Sequence, residues 1–253
     1  MQIREAAETL GVHYQTAYGW VRQGVLPARK NGRDYQVLDA DVRAFAARRA
    51  AGRPPQSQIQ VGNWATQADR LHAALVAGDE TLARHRLDRL AGGVPLVDLC
   101  ERVIGPALRR LGDEWSAGNV SIAAEHRASV ICERLVALQS HQRPGRPRGV
   151  AVVATPPGER HGLPSLMAAA CLREDRWLVH HLAHDLPVAE VLQMAGETRA
   201  TLVVLSSATA EAASAAATAA GHITSANPAL HAFAGRPGDS LRQLLQQARA
   251  CIQ

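Results

Sequence analysis

The strongest constraint on the fold is the alternation of strand-like and helix-like segments from residue 149 to the end of the chain. The strand-like runs are short, apolar and bounded by turn residues: GVAVVAT, WLVHHLA, TLVVLSS and LHAFAG. A longer segment of helical composition follows each of them, such as LPSLMAAACLRED after the first. This β-α-β-α-β-α-β-α order predicts an α/β architecture, an open parallel sheet with helices on both faces.

A loop of unusual composition follows the first predicted strand. PPGERHGLP, residues 156–164, combines backbone-restricting proline and glycine with Glu159 and His161. Open parallel sheets bind ligands at the carboxyl ends of their strands, which is where this loop is expected. The loop therefore has the composition to hold one backbone shape and to present one imidazole to a ligand.

Residues 66–142 show the apolar periodicity of helices throughout. Three short turns, AGD, AGGVP and SAGNV, divide this segment into four helices, which predicts a four-helix bundle. The expected core positions recur with helical spacing: Leu71, Leu75, Leu82, Leu87, Leu90, Leu99, Val103, Ile104, Ala107, Leu108, Leu111, Val130, Ile131, Leu135, Val136 and Leu138.

The stretch LGDEWSAGNVSIAAEHRAS carries a second cluster of polar residues. If a helix begins near Ser121, one of its faces presents residues three or four positions apart, namely Ile122, Glu125, His126 and Ser129. Trp115 is expected on the loop just before this helix. These residues could line a pocket, although spacing alone favours a simpler interpretation, an exposed Glu–His pair and a tryptophan in the core.

The N-terminal residues 1–53 form a basic module with nine basic and five acidic side chains, which suggests an anionic partner such as nucleic acid. The segment has the layout of a helix-turn-helix with residues 13–22 as the recognition helix. Asn31-Gly32 predicts a β-hairpin wing. We expect DNA contacts from both elements: Gln15, Thr16, Tyr18 and Arg22 of the helix, and Arg29, Lys30 and Arg33 of the wing.

The order of these parts predicts a multidomain protein. Residues 1–53 would bind DNA, residues 54–65 would be a linker, residues 66–142 the bundle and residues 148–253 the α/β domain. No apolar run approaches the ~18 residues of a membrane span, and the N terminus lacks a signal-peptide core, so we expect a cytoplasmic protein without membrane contact. The four cysteines are far apart and form no CxxC pair, which indicates neither a zinc site nor a disulfide framework.

The first module resembles the winged helix-turn-helix of the MerR and excisionase-like families. GVLPARKNGRDYQVLDADVRAF is similar to their turn, wing and following helix. The resemblance implies binding to a double-stranded DNA operator. A small helical module that binds another protein is the alternative.

Two further motifs resemble those of cobalamin-binding proteins. GDEWSAGNVSIAAEHRAS is similar to the helical cobalamin-binding bundle of CarH- and LitR-type photoreceptor regulators, in which nine residues separate a tryptophan from Glu-His. PPGERHGLP resembles the matching loop of their Rossmann-like, flavodoxin-like domain, where the photoreceptor branch has Glu-x-His. That pattern continues with a serine and a glycine pair, and Ser206, Ser207, Gly235 and Arg236 stand near those places.

The resemblance implies adenosylcobalamin as the cofactor, with methylcobalamin or hydroxocobalamin as alternatives. It makes His161 the lower axial ligand of cobalt, held by Glu159, and His126 an upper ligand after light has released the adenosyl group. Trp115 and Glu125 would help to cover that group. The full set of implied cofactor contacts is Trp115, Ile122, Glu125, His126, Ser129, Glu159, Arg160, His161, Gly162, Leu163, Ser206, Ser207, Thr209, Gly235 and Arg236.

The same resemblance implies a light-sensing transcriptional repressor without enzymatic activity, a homo-oligomer (a tetramer in the dark) that releases DNA on illumination. The alternatives are a cobalamin-independent regulator, a methylcobalamin or redox sensor, and a corrinoid methyl carrier. The sequence departs from the pattern at Pro164 and Arg236, where the family has glycine. The short C-terminal segment also leaves little room for a fifth strand.

Overall fold

The computed structural model describes residues 1–22, 26–31, 34–50, 63–91 and 93–252. Its N-terminal elements are two short helices, a hairpin and a third helix: α1 (Ile3–Thr9), α2 (Tyr14–Arg22), β1 (Arg29–Asn31), β2 (Asp34–Gln36) and α3 (Asp39–Ala50). Gly11 makes the turn between α1 and α2 with φ +63°, a conformation that favours glycine. Ala6, Ala17 and Phe45 are fully buried where the three helices meet, which confirms the predicted helix-turn-helix.

The predicted hairpin wing is present, with its strands paired antiparallel. Asn31 pairs with Asp34, so Asn31 is the last residue of β1 and the connection consists of Gly32 and Arg33, which lie outside the described residues. The register pairs Lys30 with Tyr35. The Tyr35 ring then lies edge-on to Tyr18 at 6.1 Å, so the wing packs against the recognition helix.

Four helical stretches follow in the predicted order. They are α4 (Trp64–Ala77), α5 (Glu80–Ala91), a third stretch made of α6 (Leu96–Leu99), a π-helical turn (Cys100–Ile104) and α7 (Gly105–Ser116), and finally α8 (Ile122–Gln139). Side chains cap two of the starts: Asn63 accepts from the backbone N of Ala65, and Ser121 accepts from that of Ala124. The predicted helix start near Ser121 is thereby confirmed.

Three of the expected core positions are wrong. Leu82, Val130 and Leu138 are exposed, whereas the other positions of their helices face the core. The cause is helical phase, because each residue advances the helix by about 100°. The buried residues Ile131, Leu135 and Val136 occupy one arc of α8, and Val130 lies on the side away from that arc.

The π-helical turn requires a glycine directly after it. A Cβ on Gly105 would lie 2.9 Å from the carbonyl oxygen of Cys100, closer than such atoms approach in practice. The wider turn therefore depends on the missing side chain at this position. Single π-helical turns of this kind often occur at functional sites.

The C-terminal part is the predicted parallel sheet with helices on both faces. Its elements are β3 (Val150–Ala154), α9 (Gly162–Glu174), β4 (Leu178–His181), α10 (Val188–Thr198), β5 (Leu202–Leu205), α11 (Ala210–Ala226), β6 (His231–Ala234) and α12 (Leu241–Ala250). All pairs are parallel and the strand order is β4-β3-β5-β6, so the described residues hold no fifth strand in this sheet. The order reverses between β3 and β5, and this switch point is where such sheets open a crevice for ligands.

The bundle packs on α9, which covers one face of the sheet, and shares the core on that side. Alternate residues of β3 point to opposite faces. Ala151 and Val153 belong to a continuous apolar cluster with α9, α12 and the bundle, whereas Val152 and Ala154 pack with α10 and α11. Glu101 of the π-helical turn also accepts from the Ser240 hydroxyl at 2.7 Å. No helix among the described residues is both long and apolar enough to cross a bilayer.

Two glycine-to-alanine substitutions, one at the start of β3 and one control, test the packing beside this strand. A Cβ on Gly149 would lie 2.7 Å from the ring of the fully buried Trp177 and 3.0 Å from the Thr201 hydroxyl, and these two residues directly precede β4 and β5. We expect Gly149→Ala to lower the free energy of unfolding by about 1–3 kcal/mol, measured by urea denaturation.

The matched control is Gly221→Ala in α11, where a Cβ meets nothing within 4 Å. It should raise the free energy of unfolding by about 0.5–1 kcal/mol, because alanine has the better helix propensity. A Gly149→Ala protein as stable as the wild type would contradict this description of the packing.

Candidate functional site

The loop after β3 is organised around a buried carboxylate. Glu159 is only 2% exposed, and its two oxygens accept three hydrogen bonds. Oε1 accepts from the backbone N of His161 at 2.8 Å and from its ring Nδ1 at 2.5 Å, and Oε2 accepts from the backbone N of Ala208 at 2.8 Å. Since Ala208 follows β5, this side chain joins the loops after β3 and β5 across the switch point.

These bonds determine the charge of Glu159. Burial alone would raise the pKa of its carboxyl, but the N–H groups of Ala208 and His161 and the His161 imidazole outweigh burial and hold the pKa below its ordinary value. The side chain is therefore an ionised carboxylate near neutral pH, and such a group only accepts hydrogen bonds.

The ionised carboxylate fixes the tautomer of His161. Nδ1 must carry the proton that it donates to Glu159, so Nε2 of the neutral ring keeps its lone pair. The His161 side chain is 64% exposed. The ring is thus oriented on one side and accessible on the other, which is the arrangement of a metal-ligating histidine.

Further hydrogen bonds hold the backbone of the loop. The Thr155 hydroxyl donates to the carbonyl of Glu159 at 2.6 Å and accepts from the backbone N of Asp185 at 2.9 Å. Asp185, after β4, accepts from the backbone N of Gly158 at 2.8 Å, where the chain turns with φ +84°. The carboxyl ends of β3, β4 and β5 are therefore bound to one another beneath the imidazole.

A cavity of about 620 Å³ opens beside this loop. Its walls are the first turns of α9, the segments after β5 and β6, α12 and the third helical stretch of the bundle. The volume lies within the roughly 300–1,000 Å³ of ordinary ligand pockets. The predicted contacts Ser206, Ser207, Gly235 and Arg236 all line it.

The small residues of the cavity leave its interior open. The Ser207 hydroxyl donates to the carbonyl of Gly235, so this hydroxyl is bonded to the wall of the cavity. A Cβ on Gly235 would make only ordinary contacts, the nearest at 3.5 Å. The fold itself therefore does not require glycine here, and the missing side chain widens the cavity.

The other predicted cofactor contacts of this region lie in four different surroundings. Leu163 is buried in the core shared with the bundle, and the Thr209 hydroxyl caps α11 by accepting from the backbone N of Ala212. Arg160 is exposed on the loop. Gly162 begins α9, where a Cβ would lie 3.4 Å from Nδ1 of His184.

The structure brings most of the upper cluster together on the bundle. Glu125 accepts from the Ser129 hydroxyl at 2.7 Å through Oε1 and contacts Nδ1 of His126 at 2.7 Å through Oε2. His126 and Ile122 are exposed, the latter by 59%. No hydrogen bond within the described part of the chain joins this cluster to Glu159 or His161.

The expected position of Trp115 is wrong. It lies within the last turn of α7, not on a loop, because that helix continues to Ser116. The simpler interpretation of a core tryptophan is wrong as well, since Trp115 is 47% exposed. Nearly half of the Trp115 side chain is thus open to solvent.

The predicted DNA contacts differ in how far they are exposed. Gln15, Thr16 and Arg22 are exposed on α2, and Arg29 is exposed on the wing. Tyr18 is half-buried, with its ring stacked on Tyr14 at 5.9 Å and edge-on to the ring of Tyr35. Arg33 and the Lys30 side chain lie outside the described residues.

Sequence reasoning missed three contributors to the lower site. Thr155 and Asp185 follow predicted strands at the ligand-binding edge, and that position was a usable signal. Ala208 acts through its backbone N–H, for which the sequence holds no signal. The bundle residues that line the cavity, among them Glu101 and Arg109, depend on tertiary packing.

The buried carboxylate predicts a pH dependence. Its pKa is lowered in the folded state from 4.5, so its ionised form stabilises the fold fully above that pH, and the contribution is lost as the pH falls through the lowered value. Glu159→Gln should lower the free energy of unfolding at neutral pH by about 1–3 kcal/mol, because the amide cannot accept all three hydrogen bonds.

The measurement is denaturant unfolding of both proteins from neutral to acidic pH, where the difference between them should shrink. Glu133→Gln, at an exposed position of α8, is the control and should follow the wild type at every pH. A constant difference between wild type and Glu159→Gln would show that ionisation of this carboxyl does not stabilise the fold.

Comparison with known proteins agrees with this geometry. Residues 67–138 match the B12 binding domain family, and residues 1–50 match a helix-turn-helix domain family. The transcriptional repressor CarH of Myxococcus xanthus is 30% identical over 200 residues, which cover 68% of this chain and 67% of that protein.

Among solved structures, the monomethylamine corrinoid protein of Methanosarcina barkeri has a similar fold. Its TM-score is 0.58 at 14% identity, and the match covers 74% of this chain and 98% of that one. This likeness shows the fold of the bundle and sheet, and the sequence matches show the family. The chain belongs to the CarH-type family of cobalamin-binding, helix-turn-helix transcriptional regulators.

Proposed function

We propose that this protein is a light-sensing transcriptional repressor that uses adenosylcobalamin as its chromophore and holds its operator as a homo-oligomer in the dark. The observation that carries the proposal is the imidazole of His161, oriented by a buried carboxylate beside a cavity at the switch point. The same chain holds a DNA-binding helix-turn-helix, so one molecule combines the sensor and the output.

The α/β unit would hold the lower side of the corrinoid. His161 offers Nε2 to cobalt, and Glu159 keeps the ring in the tautomer that can ligate. The cavity beside the loop has room for the nucleotide tail, with Ser206, Ser207 and Gly235 on its wall. Hydrogen bonds to Glu159 and to the carbonyl of Gly235 hold the side chains of His161 and Ser207, which favours one orientation of the cofactor.

The bundle would cover the upper side. Trp115 and Ile122 expose apolar surface, and Glu125 offers carboxylate oxygens to the hydroxyl and amino groups of an adenosyl moiety. Ser129 and His126 hold that carboxylate from both sides. A methyl group presents no polar atoms to Glu125, so this surface favours the adenosyl form over methylcobalamin.

When bound, adenosylcobalamin supplies a cobalt–carbon bond that visible light breaks. The chain would then respond by a change in how the bundle packs on the α/β unit. Several DNA-binding modules in one oligomer would amplify the response. Loss of bivalent contact lowers apparent affinity for DNA by about 10²–10⁴ without altering any single contact.

Illumination of the loaded protein tests the proposal. Purified in the dark with adenosylcobalamin, the protein should bind the corrinoid, elute as an oligomer on gel filtration and retard operator DNA on a gel. After green light the absorption spectrum should change, the species should become smaller and the retarded band should weaken.

Each other result decides against part of the proposal. Without corrinoid uptake the cofactor assignment fails. Uptake without any response to light contradicts light sensing and favours a methylcobalamin or redox sensor. A response of the spectrum without loss of DNA binding contradicts the coupling between sensor and output.

Replacement of the lower ligand is a second test. His161→Ala should weaken binding of adenosylcobalamin by about tenfold or more in a spectroscopic titration, because the variant lacks the metal-binding nitrogen. His85→Ala, at an exposed histidine of α5, is the control and should bind as the wild type does. Identical titration curves for all three proteins would show that His161 does not hold the corrinoid.

A further inference from the structure

Residues of both the bundle and the α/β unit line the cavity beside the His161 loop. Arg236 lines it from the segment that follows β6, and Arg109 lines it from α7 of the bundle. The guanidinium of Arg109 lies back over Gly105, where a Cβ would be 3.3 Å from Nη1. Gly105 lines the same cavity, so this charge lies at the wall next to the π-helical turn.

Neither guanidinium forms an ion pair with any carboxylate of the part of the chain that the structure describes. The acidic residues of the same cavity already accept other hydrogen bonds. Glu101 accepts from the Ser240 hydroxyl at 2.7 Å and from the backbone N of Arg242 at 3.0 Å. Asp239 accepts from the backbone N of Arg236 at 2.8 Å.

Two arginines without an ion pair therefore line the cavity, one from each structural unit. Arginine binds phosphate and carboxylate oxygens through paired N–H donors, and paired placement of two arginines selects an anion. Small polar and glycine residues, Ser206, Ser207 and Gly235, leave the space between the walls open. A ligand with an anionic group can therefore enter this space and place that group at the arginines.

We propose that Arg109 and Arg236 bind the phosphodiester of the cobalamin nucleotide tail, an inference that rests on the proposed function. This phosphodiester is the anionic group of the tail and connects the corrin side chain to the ribose and benzimidazole. Arg236, which departs from the glycine of related sequences, then serves as a binding residue. The two arginines select complete cobalamins over corrinoids that lack the nucleotide.

The phosphate contact of Arg109 would also connect the bundle with the α/β unit. Arg109 belongs to the bundle, whereas Arg236 belongs to the α/β unit, so a phosphate bound to both bridges the two units. Binding of the tail then stabilises the packing of the bundle on α9 and α12. The nucleotide thus contributes to the arrangement of the units as well as to affinity.

Comparison of two corrinoids tests the inference. Adenosylcobalamin and adenosylcobinamide, which lacks the phosphate, ribose and benzimidazole, are titrated calorimetrically against the full-length protein. The wild type should bind the complete cofactor more tightly. Arg109→Gln and Arg236→Gln should each weaken binding of adenosylcobalamin by about five- to tenfold, as expected for one partly exposed charge-assisted contact, and leave adenosylcobinamide unchanged.

Arg70→Gln is the matched control, because Arg70 is exposed on α4 and does not line the cavity. It should bind both corrinoids as the wild type does. Increasing salt should also reduce the preference of the wild type for adenosylcobalamin, since screening weakens contacts between partly exposed charges. This measurement needs no variant and remains decisive if a substitution prevents folding.

The outcomes separate this inference from the function on which it rests. If the wild type binds neither corrinoid, the proposed cofactor fails and the phosphate contact with it. If it binds both equally, or if the arginine variants lose affinity for both to the same degree, the phosphate contact is wrong while corrinoid binding stands.

Discussion

The candidate site depends on the burial of one ionised carboxylate. An isolated charge in a protein interior is strongly unfavourable, and Glu159 is tolerated because three N–H donors face its two oxygens. Two of these donors are backbone groups fixed by the loops after β3 and β5. The third is the imidazole that the loop presents, so the same interaction that permits the buried charge also sets the tautomer and direction of His161.

Helix α9 connects this arrangement to the rest of the molecule. It begins directly after His161, contributes Pro164 and Met167 to the cavity and packs its apolar residues into the core shared with the bundle. Pro164 lies in its first turn, where proline is compatible with helical geometry, so the start of the helix is intact. A change in how the bundle packs would therefore reach the imidazole through α9, and it would reach the cavity both through α9 and through the bundle residues that line it.

Much of the fold could be predicted from the sequence because its signals are local. The strands of the parallel sheet are short apolar runs between turn residues, and each was recognised with its following helix. The wrong predictions concern which face of a helix a residue occupies and where a helix ends. Val130 and Leu138 were assigned to the core because they are apolar, although the helix turns them outward, and Trp115 was assigned to a loop although α7 extends beyond it.

The parts of the site that could not be predicted depend on contacts between residues far apart in the sequence. Ala208 contributes only a backbone N–H, from 49 residues beyond Glu159, and no residue type announces such a contact. The bundle wall of the cavity exists only because the third helical stretch packs on α12, so Arg109 could not be connected with Arg236 from the sequence. Motifs identified the imidazole and its partner, and tertiary packing decided what surrounds them.

The π-helical turn between α6 and α7 also holds one residue more than a regular helix would need there. Its hydrogen bonds reach one residue further than those of an α-helix, so each residue advances the chain by about 80° where an α-helical residue advances it by about 100°. The five residues Cys100–Ile104 therefore turn the chain about as far as four α-helical residues would, and the extra residue leaves α6 and α7 in phase. A deletion inside this turn would leave α7 facing the same way, whereas a deletion within α7 itself would rotate everything after it by about 100°.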